Sequence, residues 1–175
     1  MIIGITGYAG VGKDTLADLL VEREGFEKRA FADKLKQFYY SVAPLAHVDL
    51  IDEMGWDAAK RFNMEIRAGL QGLGASARNT FGKKFWIEQA MPNIFDSQEF
   101  NYVFADVRYQ NEADEIWSRG GVIIRLKRDE INPANDHASE LELDTIEADI
   151  VIENHSPESA LSEVLEYLGW HTTKS

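Results

Sequence analysis

The chain has 175 residues, 45% hydrophobic and 27% charged, which predicts one globular domain large enough to bury a core. Its net charge of −12 argues against general nucleic-acid binding, and the absence of cysteine excludes disulfides, thiolate metal sites and cysteine nucleophiles. No apolar run approaches the roughly 18 to 20 residues of a membrane span, and no basic segment precedes the first apolar run, so no membrane partner is expected and the expected address is cytoplasmic.

In chain order, IIGIT (2–6) predicts a short buried strand, followed by the Gly-rich turn GYAGVGKDT. Residues 13–24 predict a helix with Leu16, Leu19 and Leu20 on one side. FEKRAF (26–31) predicts a second strand, and a helix follows from Asp33 to about Ala46, ended near Pro44. A mainly helical stretch from Trp56 to about Ile94 would be interrupted by Gly72, Gly74 and Gly82. Within it, Lys60 to Lys84 holds six basic residues against Glu65, a net of +5. That segment is either a mixed helical surface or a pocket for a small anion such as phosphate. FNYVFADVR predicts a strand ending at Asp106, then a helix over 109–119 closed by Gly120-Gly121. VIIRLKR is a further strand, 129–140 a polar loop and ADIVIEN a last strand, before Pro157 opens a final helix to about Leu168. From Asp129 to Ser175 there are twelve acids and one base, Lys174, which reads as a solvated acidic surface.

Strands alternating with helices predict an α/β fold, a parallel sheet with helices on both faces. Ligands of such sheets bind at the carboxyl ends of the strands. The Gly-rich turn follows the first strand, Asp106-Val107-Arg108 ends the third, and Asn154 ends the last. Gly7, Gly12 and Lys13 satisfy G-x-x-x-x-G-K between a strand and a helix, the setting of a phosphate-binding loop. The amides around Gly10 and Val11 would converge on phosphate oxygens, the helix would add its positive end, and Lys13 would bridge the β- and γ-phosphates of a donor. Asp14 stands where a hydroxyl is usual, and Thr15 brings one a position late. Asp14 is therefore either a hard-oxygen ligand of Mg²⁺, directly or through water, or a first-turn acid with Thr15 at the α-phosphate.

GYAGVGKDT, FADKLKQ, RAGLQGLG with Arg78 after it, FADVRYQNEADEI, DHASE and ADIVIEN occur in an order that resembles the deoxynucleoside monophosphate kinases of tailed bacteriophages, from Ile2 to about Leu168. The resemblance implies a three-layer α/β/α P-loop domain over residues 1–175, with a sheet of about five strands. It also implies a helical acceptor-binding region at about 33–95 and a lid at about 128–141. ATP and Mg²⁺ would be the cofactors and small-molecule nucleotides the partners, in the host cytoplasm if phage-encoded; a homodimer stays open. Asp106 would help hold Mg²⁺, with capping of the 109–119 helix as its bland alternative. Arg108 would reach the transferring phosphate, or else pair with Glu112 four residues on. Arg67 and Gln71, four apart on one helix face, and Arg78 after a break at Gly74 match the acceptor segment; Arg can grip a monophosphate and Gln can read a base edge. Ala75 replaces a frequent Thr of the family. Asp33 and Lys36 would lie on the acceptor side, and Arg128 in the lid with His137, Ser139 and Glu140 of H-x-S-E. Four histidines without ligand spacing argue against zinc. Asn154 would sit where the donor adenine edge passes. Dephospho-coenzyme A kinase and animal-type phosphomevalonate kinase share parts of the pattern, so the acceptor is less defined than the chemistry. A guanine-specific switch is opposed: no N-K-x-D follows a late strand, and the only D-x-x-G, Asp52 to Gly55, lies outside a strand end.

Overall fold

The computed structural model describes residues 1–91, 100–129 and 142–169. Its elements are β1 (Ile2–Thr6), α1 (Lys13–Glu24), β2 (Glu27–Arg29), α2 (Asp33–Val42), α3 (Leu45–Phe62), α4 (Met64–Phe81), α5 (Phe85–Ala90), β3 (Tyr102–Phe104), α6 (Gln110–Ser118), β4 (Val122–Lys127), a 3-10 turn (Glu142–Thr145), β5 (Ile150–Glu153) and α7 (Pro157–Tyr167). They form two compact units, Met1–Ala30 with the chain from Asn93, and Phe31–Pro92. Among the described residues no helix is long and apolar enough to cross a membrane.

The first unit is a parallel sheet of five strands in the order β2-β3-β1-β4-β5. Its strands alternate their faces with period two. Ile3 and Ile5 of β1, Ile124 and Leu126 of β4 and Ile152 of β5 point to one side, where they meet Leu16 and Leu20 of α1 and Leu161 and Val164 of α7. Gly4 and Ile123 point to the other, against Ile116 of α6: a Cβ on Gly4 would stand 2.6 Å from both isoleucines. Helices therefore cover both faces, and the unit is a three-layer α/β/α arrangement. Burying each such isoleucine or leucine contributes about 1.5–3 kcal/mol.

In the second unit, α2 and α3 pack on α4, and α5 packs on α2 and α4. Tyr39, Ile51, Ala59, Ile66 and Leu70 form its core. This region departs from the sequence reading. Helix begins at Leu45 rather than Trp56 and kinks at Gly55 (φ 76°, ψ 165°). Asn63 separates α3 from α4 and caps the latter, its Oδ1 accepting from the Glu65 amide at 2.8 Å. Gly72 and Gly74 do not interrupt α4. Gly74 is buried, a Cβ there would lie 3.1 Å from Leu35, and its carbonyl accepts from Trp86 Nε1 at 3.1 Å. Packing of this kind outweighs the roughly 1 kcal/mol helix penalty of a glycine. Helix α2 stops at Val42, short of Ala46, because Ala43 precedes a proline and is extended (ψ 155°). The second strand is trimmed to 27–29 and the third stops at Phe104, before Asp106, where pairing ends. The expected helix end near Ile94 lies outside the described residues.

Asp149 fastens the start of β4 to α6. Its Oδ2 accepts from the Ile123 amide at 2.6 Å and from Trp117 Nε1 at 2.7 Å, while its own amide donates to the Ile123 carbonyl at 2.9 Å. Asp149→Ala removes two charge-assisted bonds and should lower stability by about 1.5–3 kcal/mol, read as a lower midpoint in urea unfolding.

Candidate active site

The loop between β1 and α1 turns through Gly7, Gly10 and Gly12, with φ of 137°, 88° and 98°. Two of these positions also admit no side chain. A Cβ on Gly7 would stand 2.2 Å from the Leu126 carbonyl oxygen, and one on Gly12 2.5 Å from Asn154 Nδ2. The N-cap Gly12 has no side chain to cap α1, and the helix N-terminus, which favours an anion, lies at the carboxyl edge of the sheet. Lys13, 9% exposed, folds back across the loop and donates from Nζ to the carbonyls of Gly7 at 2.6 Å and Tyr8 at 2.7 Å.

Residues far along the chain hold this loop. Asn154, buried just past β5, donates from Nδ2 to the Val11 carbonyl at 2.7 Å, and its amide donates to the Lys127 carbonyl at 2.7 Å. The Tyr8 hydroxyl donates to the Asp144 carboxylate, 2.7 and 2.6 Å from its two oxygens. Arg125 bonds the carbonyls of Leu143 and Ile146, and its other terminal nitrogen is 3.9 Å from Asp144. A cavity of about 350 Å³ lies beside the loop, lined by Tyr8, Val11, Leu126, Lys127, Arg128 and Glu153 among others. Arg128 is thus placed at the edge of the loop.

Asp14 is exposed and pairs with Lys28 of β2 at 3.0 Å; Lys28 also meets Asp18 at 2.9 Å. Burial lowers the Lys28 pKa, but hydrogen bonds and charge from Asp18 and Asp14 outweigh it and hold the pKa above its ordinary value. The pairing therefore contributes at neutral pH and is lost as pH rises through the raised lysine pKa. Half-buried Asp106 follows β3, where the next amide, of Val107, still bonds the Ile5 carbonyl at 3.3 Å, so it sits beside the start of the loop. The cap of α6 includes buried Glu112, whose Oε2 accepts from the amides of Arg108 at 2.8 Å and Tyr109 at 3.1 Å. Among the described residues no group of three or more His, Cys, Asp or Glu could hold a metal by itself. Mg²⁺ does not need such a group: one or two carboxylates with phosphates and water suffice, and Asp14 and Asp106 fit that donor set.

The model of the deoxynucleotide monophosphate kinase family matches residues 41–165. A protein of Acanthamoeba polyphaga mimivirus named for the same activity is 31% identical over 180 residues, covering 89% of each chain. The chain belongs to the deoxynucleotide monophosphate kinase family. It is an enzyme, a nucleoside monophosphate kinase built on a P-loop. Among solved structures, the kinase is similar to shikimate kinase from Aquifex aeolicus (TM-score 0.49, 12% identity, 97% and 96% of the two chains) and to the APS kinase CysC of Mycobacterium tuberculosis (TM-score 0.46, 14% identity, 96% of each chain).

The structure gathers the predicted loop residues, Asp106, Arg108, Arg128 and Asn154 in the first unit of the kinase. It seats Asn154 under the loop, with its amide nitrogen committed to Val11. Asp33, Lys36, Arg67, Gln71 and Arg78 belong to the second unit. Arg67, Gln71 and Arg78 share one face of an unbroken α4, so no break at Gly74 separates Arg78 from the others. Ala75 is half-buried on the same helix. Asp33 and Lys36 line a second cavity of about 390 Å³ with Gln37, Tyr40 and Trp56. His137, Ser139 and Glu140 lie outside the described residues. Sequence reasoning missed the Tyr8–Asp144 bond, the Lys28 pairing and the capping by Glu112. Only the last had a local signal, a Glu three residues after the N-cap, obscured by Tyr109 in place of Ser or Thr.

Asn154→Asp keeps the side-chain size but sets a carboxylate against the Val11 carbonyl. The expected result is about tenfold weaker ATP binding by titration calorimetry, with a lower Tm.

Proposed function

We propose that this kinase transfers the γ-phosphoryl group of Mg·ATP to the phosphate of a deoxynucleoside monophosphate, giving ADP and the deoxynucleoside diphosphate. The observation that carries the reading is the loop, backed by Asn154, with the Lys13 ammonium folded over its backbone carbonyls at the carboxyl edge of a parallel sheet. On donor binding, Lys13 exchanges those carbonyls for β- and γ-phosphate oxygens, stronger acceptors because they are anionic. The acceptor phosphate is already an anion, so no general base is required. One of its oxygens attacks the γ-phosphorus in line as the bond from phosphorus to the ADP oxygen breaks.

The charged side chains then divide the work. Arg108 and Arg128 offset charge on the transferring group. Arg67 and Arg78 grip the acceptor phosphate, and Gln71 on the same helix face contacts the acceptor nucleoside. When bound, Mg²⁺ neutralises charge on the β- and γ-phosphates, and Asp106 and Asp14 are the residues that would hold it, directly or through water. Asn154 steadies the donor side of the site through its bond to Val11. The Phe31–Pro92 unit serves as the acceptor-binding part of one kinase domain.

The test is incubation with Mg·ATP and a panel of monophosphates, measuring ADP and diphosphate; if no deoxynucleoside monophosphate is phosphorylated, the reading falls. Lys13→Ala should reduce turnover on the order of a thousandfold. Arg67→Ala should raise the acceptor KM about tenfold with the ATP KM unchanged, and an unchanged acceptor KM removes Arg67 from the site. For the metal, Asp14→Ala should need about tenfold more Mg²⁺ for half-maximal rate while Asp14→Ser stays near wild type. Wild-type Mg²⁺ dependence in both variants excludes direct ligation.

A further inference from the structure

Helix α2 divides its residues between two jobs. Leu35 and Tyr39, four apart, pack on α4: Leu35 lies against Gly74, and the Tyr39 ring comes so close to Gly69 that a Cβ there would be 2.6 Å from it. Asp33, Lys36, Gln37 and Tyr40, spaced i, i+3, i+4 and i+7, form an adjoining face and line the cavity of about 390 Å³. The remaining wall is the indole of Trp56 from α3.

That indole is aimed and braced. The kink at Gly55, with φ 76°, immediately precedes it and redirects the helix at this point. Tyr39 meets Trp56 edge to face, ring centroids 6.3 Å apart. Tyr39 is itself fixed by a 2.8 Å hydrogen bond between its hydroxyl and Nδ1 of buried His47, whose Nε2 is 3.4 Å from Glu65. Tyr40 is held in turn by its hydroxyl, which donates to Asp52 at 2.8 Å.

The lining chemistry favours a flat, uncharged, hydrogen-bonding group over a phosphate. Asp33 and Lys36 give the cavity one charge of each sign, whereas a phosphate site needs cations in excess. Gln37 offers an amide: its oxygen accepts from Lys34 at 3.2 Å, and its nitrogen has no partner among the described residues. The volume suits a heterocycle with its sugar.

We propose that this cavity holds the base of the acceptor monophosphate, with Trp56 as the stacking surface and Gln37 reading the base edge. The Tyr39–His47–Glu65 chain positions the indole and does not touch the ligand. The proposal rests on the kinase reading above and adds the residues that select the base.

The test is equilibrium binding of deoxynucleoside monophosphates to the intact protein without ATP, beside 2-deoxyribose 5-phosphate as a probe lacking the base. Trp56→Leu should weaken monophosphate binding about tenfold, Trp56→Phe by less than about threefold, and neither should change the affinity for the baseless probe or for ATP. Gln37 is exposed on α2, so Gln37→Ala should fold normally and shift the preference among the four bases by about fivefold. The idea is overturned if a folded Trp56→Leu protein binds monophosphates as wild type does, or loses the baseless probe equally. Should Trp56→Leu fail to fold, an unchanged base preference in Gln37→Ala overturns it. Wild-type protein that phosphorylates monophosphates while Trp56→Leu and Gln37→Ala bind them normally removes this inference alone. Wild-type protein that neither binds nor phosphorylates any monophosphate removes the kinase reading with it.

Discussion

A parallel sheet brings all its strands' carboxyl ends to one edge, and here β1 lies between β3 and β4 at that edge. The chain leaving β1 must reverse within a few residues to start α1, while β3 and β4 release their own chains on either side. Residues leaving three neighbouring strands are therefore brought to one edge of the sheet. Lys13 comes from the first, Asp106 and Arg108 from the segment after the third, and Arg128 from the end of the fourth. No long-range electrostatic ordering is needed to assemble them, because burial of the branched side chains on both sheet faces sets the register.

The turn itself is a backbone structure, and backbone carbonyls at a protein surface need partners or water. Three of them are spoken for here: Gly7 and Tyr8 by Lys13, and Val11 by Asn154. The Asn154 bond reaches across from the far side of β4, so the stability of β5 and α7 is felt directly in the loop. Tyr8 extends the same logic outward through Asp144 and Arg125, which ties the loop to the 3-10 turn. Asp14 in place of a hydroxyl fits this arrangement, since Lys28 from β2 supplies a counter-charge on that side.

The helical unit obeys a different constraint. Its helices touch through Gly69 and Gly74, where only a hydrogen on the glycine lets Tyr39 and Leu35 approach α4. Close approach on one face of α2 determines which residues remain for the other. The stripe of Asp33, Lys36, Gln37 and Tyr40 is the consequence, facing an indole set by the Gly55 kink.

The sequence by itself determined the α/β class, the strand–loop–helix around Lys13, and every strand within a few residues, because period-two apolar runs and Gly punctuation are local signals. It also placed Lys13 in a strand-to-helix turn and Asp106 and Arg108 near a strand end, positions that short stretches of chain define. Only the tertiary structure decided that α4 runs through Gly72 and Gly74, that β3 ends before Asp106, and that Asn154 clamps Val11 from 143 residues away. The physical reason is the same in each case. Propensity and motif spacing act over a turn or two of chain, whereas a packed leucine, a ladder partner or a carbonyl in need of a donor is supplied by whatever the fold brings near.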